Sequence, residues 1–275
     1  MRKSLLPLIF LLPAAAFAAS PQCQHSQPRG LQLDLAGVKT VVFDIENHDL
    51  TILASARAKA ELKGQACASD AKLLEQLQLT QRRSGDKLYV SLHREGGSSG
   101  LFFGNNYAYL KIAGTLPDNV TVQLKVGSGD ASISGAAIVS ADVGSGDVKA
   151  SDTRGLVAAK VGSGDIEIDG AGSLQVISVA SGDLAAKKIR GPVKVGSISS
   201  GDFSLDGATG DVEIGSIGSG DAEVRDVSGN LSVDSVGSGD IDASDIRGDF
   251  TLRSKGSGSA SHNGVGGRVS VPSDD

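Results

Sequence analysis

From Gly127 onward the chain repeats a Gly-Ser-Gly-Asp tetrad or a close relative. Its aspartates fall at Asp130, Asp147, Asp165, Asp183, Asp202, Asp221 and Asp240, in steps of 17, 18, 18, 19, 19 and 19. An eighth unit keeps the last step but ends on a hydroxyl, Ser259. A fixed period of this length is the signature of a solenoid, in which each repeat buries its apolar face only by stacking on its neighbours.

Each period contains a half-period. Glycines at Gly210, Gly220, Gly229, Gly239, Gly248 and Gly258 come at alternating steps of ten and nine, and the residues between them alternate polar and apolar. Alternation at period two makes each half a strand with one buried face. Two strands and two glycine turns complete one coil of a flattened, all-β, two-sheet parallel β-solenoid of about 18–19 residues per coil. Successive coils pair at about 4.8 Å, and a right-handed path is expected. The expected inward pairs on one sheet are Val148 and Ala150, Ile166 and Ile168, Phe203 and Leu205, Ala222 and Val224, and Ile241 and Ala243. On the other they are Leu156 and Ala158, Leu174 and Val176, Val193 and Val195, Val212 and Ile214, Leu231 and Val233, and Phe250 and Leu252, which leaves Val139 and Val157 outward. The tetrad glycines are expected to supply positive φ and close backbone approach at stacked turns.

Met1 to Ala18 reads as a secretory signal peptide: Arg2 and Lys3, the apolar run Leu5 to Leu12, and Ala16-Phe17-Ala18 as the cleavage site. The run is too short to span a membrane. Cleavage takes the formal charge from −6 to −8. An acidic, exported chain is expected in the periplasm or outside the cell, without nucleic acid as a partner and without membrane insertion. Export also makes a disulfide plausible between Cys23 and Cys67, the only cysteines.

Residues 19–125 are expected to form irregular coils that cap the solenoid, and residues 126–275 the regular repeat with its own terminal cap. In the first part, Leu31 to Leu35, Thr40 to Ile45, Asp49 to Leu53, Lys87 to Leu92 and Thr121 to Lys125 alternate as strands. One short helix is expected from Asp70 to Leu77, capped by Ser69 or Asp70, with Leu73, Leu74 and Leu77 on one face. The loop Gly96 to Tyr109 collects Phe102, Phe103, Tyr107 and Tyr109 in a glycine-rich frame. These aromatics either contact a glycan or protein or pack back over the solenoid end.

The Gly-Ser-Gly turns at Gly127, Gly144, Gly162, Gly218, Gly237 and Gly256, the exported context and the strand-rich front resemble the bacterial adhesin family of auto-transporter-head (GIN) type. So does Leu116-Pro117-Asp118-Asn119-Val120-Thr121-Val122, leading into the first repeat. The resemblance implies a pectin-lyase-like β-helix without a recognised catalytic constellation or cofactor.

Three functions fit such a rod. The first is calcium binding by the ladder Asp130 to Asp240; carboxylates stacked at that pitch repel by about 1 kcal/mol per neighbour in water and need a cation or backbone N–H donors. Turn amides are the expected partners. The second is polysaccharide chemistry on an outer face, where Lys149 would neighbour Glu167 and Lys194 would neighbour Glu213. Such charges read more simply as cross-strand pairs, and His25, His48, His93 and His262 are scattered along the chain. The third, and the working expectation, is a non-enzymatic adhesin or envelope scaffold that binds a surface glycan, a protein or its own copies.

Overall fold

The computed structural model describes residues 23–96 and 106–272. Among these, 24 strands form two twelve-stranded sheets whose inner faces enclose a single apolar core, and there is one short helix. The N-terminal elements are β1 (His25–Gln32), β2 (Thr40–Asp44), β3 (Asp49–Ala54), β4 (Glu61–Ala68), α1 (Ala71–Gln76), β5 (Leu77–Ser84), β6 (Lys87–Arg94), β7 (Ala108–Leu116) and β8 (Thr121–Val126). From β9 (Ala131–Ser134) to β24 (Val269–Ser270) the strands alternate strictly between the sheets, odd numbers in one and even in the other. Every pairing from β8 onward is parallel, giving about eight stacked coils, as the repeat predicts.

The N-terminal end differs from a simple run of early coils. Strands β2 and β3 form one coil, but the chain then leaves the stack and returns at β8, which pairs with β2, while β9 pairs with β3. Within that excursion, β6 stacks on the opposite edge of β2 and β7 on that of β3, so a later segment of sequence forms an earlier coil in space. Antiparallel strands then close both sheets: β5 on β6, and β4 then β1 on β7. One sheet therefore ends on the reversed strand β5, and the other on β1, which is reversed twice and runs with the coils again. The helix forms where the sequence places it, with Asp70 Oδ1 accepting the Lys72 N–H at 2.7 Å. Cys23 and Cys67 are joined, with Cα atoms 5.5 Å apart, tying the start of β1 to the end of β4.

The inward residues named from the sequence are buried throughout the odd-numbered sheet. In the even-numbered sheet two coils differ. Val139 and Val157 point into the core, and Val157 and Ala159, not Leu156 and Ala158, form the inward pair of their coil. The reason is a one-residue change in coil length. The longer coils insert an extra residue between the second inward residue and the corner, so that Ala159 pairs with Val176 and Lys160 with Ser178, skipping Ile177. Reading the shorter coil backward from its corner Val161 with the longer spacing slips the strand by one and turns it inside out.

Left-handed backbone also lies elsewhere than expected. The tetrad glycines do not carry it. It runs down a different corner, through Gly135, Asp152, Gly170, Lys188, Gly207, Asp226, Asp245 and Gly264, at φ between 50° and 89°. The tetrad glycines are required by proximity alone. A Cβ on Gly182 would stand 1.9 Å from the Gly164 carbonyl oxygen of the coil before.

Candidate functional site

The acidic ladder occupies one corner of the rod. Each aspartate accepts, through Oδ1, the backbone N–H of the next aspartate along: Asp147 to Asp130 at 3.4 Å, Asp165 to Asp147 at 3.2 Å, and Asp183, Asp202 and Asp221 to their predecessors at 3.1 Å. Asp240 donates to Asp221 at 2.9 Å and Ser259 to Asp240 at 2.7 Å. The N–H donors expected from the turns are therefore supplied by the following coil. Among the described residues, no group of three or more His, Cys, Asp or Glu side chains is arranged to hold a metal ion.

The ladder begins earlier than the tetrads. Leu50 N–H bonds to the Asp130 carbonyl as Ala131 N–H does to that of Asp147, which makes Asp49 the first rung. Burial first and the Asp130 charge second push its pKa up, against a smaller lowering by Lys111 and the Asp130 backbone. The segment Glu46-Asn47-His48-Asp49 shares only the acid with the tetrads, so the sequence gives no local signal of this rung. A second ladder also escapes the tetrad pattern: Asp211 accepts the Asn230 N–H at 2.8 Å, Asn230 that of Asp249 at 2.9 Å, and Asp249 that of Arg268 at 2.7 Å. Its signal was present, since Gly210, Gly229 and Gly248 are each followed by Asp or Asn.

His48 stands in the position that Gly129 occupies one coil later. Its ring is fully buried, and Nδ1 accepts the Leu110 N–H at 3.2 Å. Burial, then the neighbouring His93 and Arg94, lower its pKa from 6.5 to about 4. His48 and His93 are thus brought together by the outermost coil, contrary to the scatter expected from sequence.

On the outer face of the odd-numbered sheet, Lys149 meets Glu167 at 2.8 Å, and Lys187 bridges Glu167 and Asp169 at 3.4 Å each, while Lys188 reaches Asp169 at 3.1 Å. The Lys149 hydrogen bond holds Glu167 below the usual carboxylate range, and the Glu167 bond raises Lys187. An open groove of about 450 Å³ runs beside the ladder here, lined by Asp49, Thr51, Lys111, Asp130, Lys149 and Glu167. On the even-numbered sheet Lys194 pairs with Glu213 at 3.0 Å. Both pairs named from the sequence are therefore cross-strand ion pairs.

Of the four aromatics, Phe102 and Phe103 lie outside the described residues. Tyr107 and Tyr109 are half-buried, with ring centres 6.2 Å apart. Tyr107 Oη accepts the Gln24 N–H at 3.0 Å, and Tyr109 Oη lies 3.8 Å from Cys23 Sγ. Both tyrosines pack against the disulfide-tethered start of the described chain.

A family model described as Toastrack DUF4097 matches residues 38–272. No curated protein matches the chain. Among solved structures, a putative adhesin from Parabacteroides merdae is 13% identical with a TM-score of 0.56, over 87% of this chain and 97% of that one. A putative adhesin from Bacteroides fragilis is 12% identical with a TM-score of 0.40, over 90% and 98%. A putative lipid binding protein from Parabacteroides distasonis is 17% identical with a TM-score of 0.36, over 91% and 98%. The first of these likenesses is one of fold.

Proposed function

The chain belongs to the Toastrack DUF4097 family, and from that premise we propose that it is an exported, non-enzymatic adhesin or cell-envelope scaffold of the auto-transporter-head (GIN) type. The observation that carries this reading is the regular outer surface. Each coil presents polar side chains in fixed register with those above and below, on a stack held rigid by one continuous core. A surface of this kind suits extended contact with a polymer or another rod, as repeat proteins generally use their faces. The leader-like Met1 to Ala18 supports export, and the name of the Parabacteroides merdae structure agrees with an adhesive role.

Catalysis is a poorer account of the charged outer residues. Lys149 and Glu167, and Lys194 and Glu213, neutralise each other across adjacent coils. A general acid or base needs a proton free to move and a pKa near its working pH, and Glu167 is held in the opposite direction.

The test is fractionation followed by binding. The chain, expressed with its own leader, is expected to leave the cytoplasm, and the purified protein to bind intact cells, isolated envelope polymers or itself. Retention in the cytoplasm, or no binding to any of the three in pull-downs and sizing, would overturn the proposal.

A further inference from the structure

The extra residues of the longer coils form an outward column on the even-numbered sheet: Ile177, Gly196, Gly215, Asp234 and Arg253. Two adjacent positions lack side chains, and the last two carry full ones, so the column is notched over two coils only. The open groove at this notch has a volume of about 670 Å³, within the range of small-ligand sites. At about 4.8 Å per coil, roughly 14 Å separates the Ile177 and Asp234 positions.

The groove's lining is chemically mixed in a specific way. At one lip stands Ile177, 58% exposed, the most exposed of the large hydrophobic residues described. At the other, Arg253 pairs with Asp234 at 2.8 Å; along the side, Lys194 pairs with Glu213 at 3.0 Å. Two cations and two anions cancel, so the groove carries directed donors and acceptors but no net charge, on a chain that is acidic as a whole. A polyanion would meet repulsion from the rod, and a polycation would be drawn to the ladder at the corner instead. The occupant that matches is an uncharged polyol with an apolar C–H face. Paired carboxylate and cationic groups bond adjacent hydroxyls, the glycine backbone allows close approach of a ring, and Ile177 covers the C–H face.

We propose that this groove binds pyranose residues of a neutral glycan. The inference rests on the adhesive reading above and names its ligand class and site.

The full chain should be assayed on immobilised neutral gluco-, manno- and galacto-oligosaccharides, with polygalacturonate and chitosan as charged comparisons. The variants are Ile177→Asp, the double variant Lys194→Ala with Glu213→Ala, and Asp242→Ala on the opposite face as control. Melting curves confirm that each folds, and the two groove variants are independent should one of them not. The expected result is binding to at least one neutral glycan, weakened about tenfold or more in the groove variants and unchanged in Asp242→Ala. Neutral-glycan binding unaffected by the groove variants would overturn the site while leaving the adhesive function standing. Binding to cells or envelope protein with none to neutral glycans would overturn the ligand class alone. No binding to cells, polymers or itself would remove the adhesive reading, and this inference with it.

Discussion

Asp240 Oδ1 accepts the backbone N–H of Ser259 at 2.7 Å, the last rung of a ladder that begins at Asp49. The acid is needed on the coil below to receive the amide of the coil above. Ser259, one period beyond Asp240, carries a hydroxyl where the earlier rungs carry the acid. The ladder is thus a device for satisfying turn amides, and its stability consequences can be measured.

Asp183→Ala is expected to cost about 1 kcal/mol, the scale of a lost side-chain cap on a backbone amide. Asp183→Asn should cost less, because Asn230 performs the same function in the second ladder. Denaturant titration of both variants checks this; equal losses would mean that the acceptor geometry is not what matters at this corner.

Calcium is expected to leave the melting temperature unchanged relative to chelator, since each carboxylate already has a backbone donor. A ligand that bound the native state alone would raise it. A large calcium-dependent rise would make the corner a cation site and displace the amide-satisfying role of the ladder.

Two glycines should respond differently to alanine. Gly182→Ala places a Cβ against the Gly164 carbonyl and is expected to cost about 3 kcal/mol or to prevent folding. At Gly170, with φ +83°, the nearest atom to a Cβ is 3.8 Å away, so alanine should cost only about 1 kcal/mol of backbone strain. Gly170→Asp should be milder still, because Asp152 adopts φ 52° one coil earlier. Parallel thermal melts of the three variants decide the order.

His48 should make the protein acid-sensitive. Its folded pKa, about 4, lies below the ordinary value of 6.5, so the unfolded chain takes up the proton first. The contribution is complete above pH 6.5 and is lost as pH falls through 4, up to about 3 kcal/mol in all. Carboxylates titrate in the same range, so the readout is the difference between wild type and His48→Asn in denaturant melts at pH 7, 5.5 and 4. Parallel pH profiles would show that the buried ring does not titrate in this way.

Breaking the link between Cys23 and Cys67 should lower stability by up to about 4 kcal/mol in the chain-entropy model. Hydrogen exchange should localise the loss to β1, β4 and the half-buried Tyr107 and Tyr109. Uniform loss along the repeat coils would argue against a terminal clamp.

The repeat itself was legible because each residue's partner in the next coil lies one repeat period away, so spacing along the chain and stacking in space are the same quantity. The strands from β8 onward, the core columns of the longer coils and the Asp130 to Asp240 ladder follow from that period. The inward set of the shorter coils in the even-numbered sheet did not. One residue decides which face turns in, and only contact with the next coil reveals where the extra residue is absorbed, as at Ile177. The same column makes the neutral groove, which no local pattern marks.

The N-terminal end shows where periodicity stops informing. Asp49 meets Asp130 across the whole excursion from β4 to β8, and β6 and β7 stack outside strands that precede them in the chain. Sequence alone determined a parallel two-sheet stack with acids at one corner, because local alternation and a fixed pitch admit little else. Tertiary structure decided which segment became the end of that stack. There, each edge is closed by contacts between residues far apart in the chain, and those contacts have no period to read.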